Sequence, residues 1–136
     1  MITSKQVVQI FIEQGWNEGD LSAYDRYVDE NYTDNDPAAP GIEGGREVQR
    51  ALIEHYRAAF SRFRVIIDEL VAEDDRVVMI YTARGVHTGE FMGHPPTQRS
   101  FEVTGMSRYV IRDGRIVTAR SNWDTLGLLK QLGLMP

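Results

Sequence analysis

Residues 100–123 read SFEVTGMSRYVIRDGRIVTARSNW and contain the pattern that decides the fold. Asp113-Gly114 lies between two segments rich in β-branched and aromatic residues, a strong short-range signal for a two-residue hairpin turn. The pattern predicts a strand over residues 100–112 and another from Arg115 to about Trp123. The second half of the chain therefore contains hairpin-linked antiparallel strands.

Two further strands precede this hairpin. Residues 64–72 are typical of one strand, and the acidic turn at residues 73–75 leads into a long strand over residues 76–87. Val77 to Tyr81 are apolar at five successive positions, whereas a strand with one solvent-exposed face alternates. We therefore expect both faces of this strand to be covered. Helices can cover one face, and a second subunit or a large loop can cover the other.

The first half of the chain predicts helices. Thr3 or Ser4 can cap a first helix that ends near Gly15 and residues 17–19, and Asp20 can cap a short second helix. A polar loop follows at residues 34–45. The apolar stripe of the first helix is Val8, Phe11, Ile12 and Trp16.

A third helix is predicted over residues 46–61, and a short closing helix over residues 125–132. The stripe of the third helix is Val48, Leu52, Tyr56, Ala59 and Phe60. Helices followed by a run of antiparallel strands predict an α+β fold, with the helices packed on a bent sheet in a single domain over residues 1–136.

Composition excludes several classes of function. The chain has 136 residues, a net charge of −5 and no cysteine, so thiolate catalysis and disulfides are excluded. The negative charge argues against nucleic acid or an anionic membrane as the main partner. No apolar run is long enough to span a bilayer, and the lack of cysteine fits a cytoplasmic location.

Asp124 is the strongest candidate for acid/base chemistry. Strand alternation places Arg120, Asn122 and Asp124 on one face of the last strand, and Ser121 and Trp123 on the other. If the first set faces inward, a carboxylate lies beside an amide in an apolar cavity, an arrangement suited to general acid/base catalysis. The alternative is structural, because an aspartate directly before a helix is a common N-cap.

Other residues are weaker candidates for binding a substrate. His87 ends the long strand, where it can serve as an acid/base group or as a hydrogen-bonded rim residue. Arg84 and Arg108 lie mid-strand and can pair with a carboxylate or anchor a substrate carbonyl. Tyr32 and Asn35 belong to a polar stretch near an expected pocket mouth, although turn formation also explains that stretch. Trp16 and Tyr56 can line a pocket or simply fill the core.

No metal or nucleotide motif is present. The histidines at positions 55, 87 and 94 do not form a chelating pattern, and there is no glycine-rich phosphate loop or nucleophile elbow. The sequence therefore predicts no metal site, and it leaves cofactor-free catalysis or simple binding of an apolar molecule.

Several segments resemble the SnoaL-like polyketide cyclases, also called ester cyclases, of the nuclear transport factor two-like superfamily. The similar segments, in order, are residues 16–21, 32–37, 75–93, 95–97, 103–106, 112–117 and 123–133. The resemblance implies a cone-shaped α+β barrel with a deep apolar pocket, often dimeric through the sheet. It also implies a cofactor-free intramolecular aldol closure of a polyketide ester, with an acid/base aspartate at the position of Asp124.

The chain departs from that family at three positions. The family usually has histidine at the position of Asn35, an acid at that of Ser107 and an apolar residue at that of His94. The loss of the histidine removes a proton partner near the expected pocket mouth.

Three functions follow as hypotheses. The first is a cyclase in which Asp124 removes a proton from an apolar ester. The second is a non-catalytic module that binds an apolar metabolite. The third is another proton-shuttling enzyme on this scaffold, such as an isomerase or an epoxide hydrolase, for which Asp124 with Arg108 or Arg84 is a partial match.

Overall fold

The computed structural model describes residues 2–34 and 45–135. Its helices are α1 (Ser4–Ile10), a π-helix (Phe11–Asn17), α2 (Leu21–Tyr27), α3 (Arg46–Ala59) and α4 (Thr125–Gln131). Its strands are β1 (Val28–Asp34), β2 (Phe60–Glu73), β3 (Arg76–His87), β4 (Ser100–Arg112) and β5 (Arg115–Trp123). The predicted α+β class is confirmed.

The five strands form one sheet in the order β1-β5-β4-β3-β2. The pairs β2–β3, β3–β4 and β4–β5 are antiparallel, as the sequence predicts. Strand β1 was not predicted, and it pairs in parallel with β5 at one edge of the sheet.

The hairpin between β4 and β5 turns where the sequence predicts it. Asp113 and Gly114 have φ values of 52° and 74°, as a two-residue turn of the primed type requires. Asp74, in the acidic turn between β2 and β3, also has a positive φ of 54°. These two turns close the β4–β5 and β2–β3 hairpins.

The first two helices begin at the predicted caps. Thr3 accepts a hydrogen bond from the Gln6 backbone, and the Gln6 side chain accepts one from the Thr3 backbone, which completes a capping box. Asp20 caps α2. The helical segment was expected to end near Gly15 and residues 17–19; the π-helix passes through Gly15 and ends at Asn17.

The predicted stripe of α3 is wrong only at its first residue. Ala59 and Phe60 are buried, and Leu52 and Tyr56 are half-buried in the cavity lining. Val48 is exposed, and its neighbour Gln49 is buried. The apolar pattern predicted that Val48 is buried, but the helix directs the Gln49 side chain into the cavity beneath it instead.

The inner face of the sheet packs on the helices, and its outer face is open in the single chain. Val77, Met79 and Tyr81 of β3 are buried, whereas Val78 is 36% exposed and Ile80 is half-buried. Coverage of the outer face by a second chain stays a prediction.

Among residues 2–34 and 45–135, no helix has the length and apolar character needed to cross a bilayer. The cytoplasmic location stays a prediction.

Candidate functional site

A cavity lies between the helices and the inner face of the sheet. Its volume is about 90 Å³, below the roughly 300–1,000 Å³ of pockets that enclose drug-sized ligands. The apolar and tyrosine side chains that form its buried walls are Ile12, Val65, Met79, Tyr81, Ala83 and Tyr109. A cavity of this size takes a small group rather than a whole polycyclic molecule.

Half-buried side chains, which we call the aromatic collar, form the outer part of the cavity: Trp16, Tyr56, Phe63 and Trp123. The rings of Tyr56 and Phe63 are nearly parallel, with centroids 6.3 Å apart. The Trp123 ring meets Tyr56 edge-on at 5.6 Å, and Trp16 lies 6.0 Å from Tyr56. Trp16 and Tyr56 therefore line the cavity, and their contact with a ligand stays a prediction.

The π-helix places Trp16 in the collar, and two side chains hold it there. The Asn17 amide donates to the Val65 carbonyl at 2.9 Å and accepts from the Val65 N–H at 2.7 Å, which joins the π-helix to β2. Arg57 of α3 donates to the carbonyl oxygens of Trp16 and Asn17, at 2.9 and 2.6 Å. Single turns of π-helix are frequent at functional sites.

The polar groups of the cavity are neutral, and none of them was predicted to line it. Ser107 and Ser121 line it, with their Oγ atoms 2.7 Å apart, and Gln49 lines it from α3. Ser121 and Trp123 alternate along β5, so the strand pattern contained the signal. That pattern alone does not tell which of the two faces points inward.

Asp124 and its neighbours on the same strand face lie outside the cavity lining. Ser121 and Trp123 take the inner face, so Arg120 and Asn122 are exposed on the outer one. Asn122 is therefore not part of the described cavity lining, and its contact with a ligand stays a prediction. Asp124 is exposed and caps α4, accepting from the Gly127 N–H at 2.8 Å. Asp124 is thus the N-cap that the sequence offered as its structural role, and its catalytic role stays a prediction.

His87 is fully buried but does not line the cavity. Its Nδ1 accepts from the Thr97 N–H at 3.2 Å and lies 3.0 Å from the Thr97 hydroxyl. Its backbone also bonds to both Arg99 and Gln98. His87 therefore anchors the segment between β3 and β4: it is hydrogen-bonded, but it is buried rather than at a rim. Its contact with a ligand stays a prediction. No described residue gives its Nε2 a hydrogen-bond partner.

The remaining predicted residues do not come together around the cavity. Tyr32 is buried in the core on β1 and is not part of the lining. Arg108 is exposed on β4, opposite Arg120 in the sheet, and Arg84 is also exposed. Tyr32 and Arg108 are thus outside the described lining, and their contact with a ligand stays a prediction. Asn35 lies outside the described residues.

The described lining contains no carboxylate, histidine, lysine or arginine. An ionised ligand group would lose its hydration there without an opposite charge to replace it. Apolar walls with a few neutral hydrogen-bonding groups suit an uncharged molecule. Within residues 2–34 and 45–135, no group of three or more histidine or acidic side chains is placed to hold a metal ion.

Known proteins resemble this chain over nearly its whole length. The family model for SnoaL-like polyketide cyclases matches residues 6–132. The nogalonic acid methyl ester cyclase of Streptomyces nogalater is 30% identical over 119 residues, which are 87% of this chain and 89% of that protein.

Two solved structures share the fold. IdmH from Streptomyces antibioticus superposes with a TM-score of 0.87 and 29% identity, covering 97% of this chain and 99% of that one. TsrD from Streptomyces laurentii superposes with a TM-score of 0.84 and 30% identity, covering 96% of this chain and 95% of that one. The expected cone-shaped α+β fold is thus confirmed. With the family match spanning all but a few residues at each end, the chain belongs to the SnoaL-like polyketide cyclase family.

Proposed function

We propose that this protein is a cofactor-independent enzyme that cyclises an uncharged, largely apolar, polyketide-like ester by an intramolecular aldol reaction. The observation that carries the proposal is the family match over residues 6–132, together with a cavity whose described lining is apolar and neutral. The small volume indicates that one reacting group enters the cavity while the bulk of the ester lies at the aromatic collar.

The reaction needs one group that moves a proton. A base removes a proton from the carbon between two carbonyls, and the resulting enolate forms a carbon–carbon bond to a second carbonyl of the same molecule. The new alkoxide then takes up a proton, so that the product is an isomer of the substrate. Positioning supplies part of such a rate, and an acid/base group adds about 10²–10⁴-fold.

Asp124 is the base in this proposal. It directly follows Trp123 of the aromatic collar, and its carboxylate accepts one hydrogen bond within the described chain, from the Gly127 N–H. In this proposal the second carboxylate oxygen takes up the proton, and the cap fixes the position of the first.

The competing function is binding without chemistry. It is favoured by the absence of a carboxylate or histidine from the described cavity lining. The experiment that separates the two is a product screen by mass spectrometry and NMR with methyl esters of linear aromatic polyketides, alongside thermal-shift measurements. A cyclised isomer formed at a rate proportional to protein concentration supports the enzyme. Thermal stabilisation by the same esters without any product supports the binding module.

We also propose that two copies associate through the outer face of the sheet. Support comes from apolar side chains exposed there, with Met106 of β4 58% exposed and Val78 of β3 36% exposed. Ile80 pairs with Met106 across the two strands, so these side chains are neighbours.

A further inference from the structure

Two serine hydroxyl groups lie side by side in the wall of the cavity. Ser107 on β4 and Ser121 on β5 are opposite each other in the antiparallel ladder, and their Oγ atoms lie 2.7 Å apart. Ser107 is buried, and both side chains line the cavity. The register of two adjacent strands fixes this pair, so its position does not depend on a loop.

The mutual hydrogen bond leaves part of the pair's bonding capacity unused. Two hydroxyls carry two hydrogens, and the bond between them uses one. Whichever serine donates, the other keeps its hydrogen, and neither hydroxyl has a further partner in the part of the chain that the structure describes. Hydrogen bonds in a chain also polarise one another, which strengthens the remaining donor. The pair therefore offers one O–H to an occupant of the cavity.

The walls determine which ligand group suits this donor. The described lining has no charged side chain, so an anionic oxygen would be desolvated without a counter-charge. A ketone or ester carbonyl accepts one hydrogen bond and carries no net charge. Its hydrocarbon neighbours fit the apolar walls formed by side chains such as Met79 and Ala83.

We propose that Ser107 and Ser121 form the recognition site for one uncharged carbonyl oxygen of the ligand. The pair gives the cavity its preference for a ketone or ester over a hydrocarbon of the same shape. This inference rests on the proposed function, because it requires that the cavity accept a ligand, and it names the ligand group that enters.

Two probes of matched shape test the inference: acetophenone, and ethylbenzene, in which a methylene group replaces the carbonyl. Their affinities for the wild type, Ser107→Ala/Ser121→Ala and the control Ser100→Ala are measured by NMR titration. The double variant should bind acetophenone about 3- to 10-fold more weakly, the value of one net hydrogen bond, and bind ethylbenzene at least as well as the wild type. Ser100 is exposed on the same strand and outside the cavity, so Ser100→Ala should change neither affinity.

Each other outcome overturns the inference. An equal change for both probes, or no change for either, would show that the serines do not recognise the carbonyl, while the proposed function would stand. Failure of the wild type to bind either probe would overturn the pocket function as well. Removal of both partners of a hydrogen bond is often nearly neutral for stability. If the double variant nevertheless fails to fold, the infrared carbonyl stretch of acetophenone bound to the wild type tests the inference instead. A frequency lower than that of the same ketone in hexane indicates a hydrogen-bonded carbonyl and supports the inference, and an unshifted frequency overturns it.

Discussion

Asp124 caps helix α4 through a hydrogen bond from the Gly127 N–H. Asparagine is about as good an N-cap as aspartate but cannot act as a base. Asp124→Asn should therefore keep the fold and the ligand affinity while turnover falls about 10²–10⁴-fold, the share of one acid/base group. Steady-state kinetics with a cyclised ester and thermal unfolding of the same variant measure the two effects.

Asp20 provides the matched control for this substitution. It is also an aspartate N-cap, on helix α2, and it does not line the cavity. Asp20→Asn should leave turnover at the wild-type value. If both variants turn over substrate like the wild type, Asp124 takes no part in the chemistry. If both lose turnover equally, the loss reflects a perturbed fold rather than a missing base.

Asp20 also makes the stability of the fold depend on pH in the acidic range. The Ser22 hydroxyl and the Ala23 N–H donate to its carboxylate and lower its pKa below the ordinary value of 3.8. A carboxyl whose pKa is lower in the folded state stabilises the fold at higher pH, and that contribution is lost as the pH falls through the folded-state pKa. We therefore expect wild type and Asp20→Asn to differ most in urea midpoint at about pH 5 and least at about pH 2. A difference that is independent of pH would contradict this prediction.

The sequence predicted caps and turns at single residues better than it predicted the site. Asp20, Asp113 and Gly114 act through neighbours a few positions away, so local patterns identify them. The face of β5 that points inward depends on packing against distant helices. Alternation therefore separated Ser121 from Asn122 correctly, but it did not tell which of the two lines the cavity.

At the scale of elements, Arg57 joins α3 to the π-helix that holds Trp16. Arg57→Met removes its hydrogen bonds to the carbonyls of Trp16 and Asn17. We expect the free energy of unfolding to fall by about 1.5–3 kcal/mol, the range for hydrogen bonds from a charged group. Ligand binding should also weaken, because Trp16 belongs to the collar. Urea unfolding and the probe titrations measure the two effects.

Arg50 on the same helix is the control for Arg57. Its guanidinium pairs with the partly exposed Asp25 carboxylate at 3.4 Å, and surface pairs of this kind contribute about 0–1 kcal/mol. Arg50→Met should therefore destabilise less than Arg57→Met and leave ligand affinity unchanged. Equal effects of the two substitutions on affinity would show that Arg57 does not position Trp16.

The elements that the sequence missed are those with long-range partners or polar surfaces. Strand β1 has few apolar side chains, and it pairs with β5, which is far along the chain. In α3, Gln49 occupies a buried position that apolar patterning assigns to its neighbour Val48. The hairpins needed no such information, because each joins strands that are adjacent in sequence.

At the scale of the whole molecule, the outer face of the sheet is the feature that one chain leaves unexplained. The five apolar residues from Val77 to Tyr81 predict cover on both sides, and helices cover only one. Met106 and Val78 remain exposed beside Ile80. Arg108 and Arg120 lie opposite each other next to this apolar patch, so a polar rim adjoins it, as in many protein interfaces.

A charge at the centre of this face tests the association of two copies. Met106→Lys should shift the molecular mass in sedimentation equilibrium from the dimer to the monomer, because an ammonium group buried between two copies would lose its hydration beside the like-charged Arg108 and Arg120. Leu126→Lys is the control, since Leu126 is 52% exposed on α4 rather than on the sheet, and it should remain dimeric. A wild type that sediments as a monomer at all concentrations would rule out the dimer. A Met106→Lys variant that stays dimeric would place the interface on another surface.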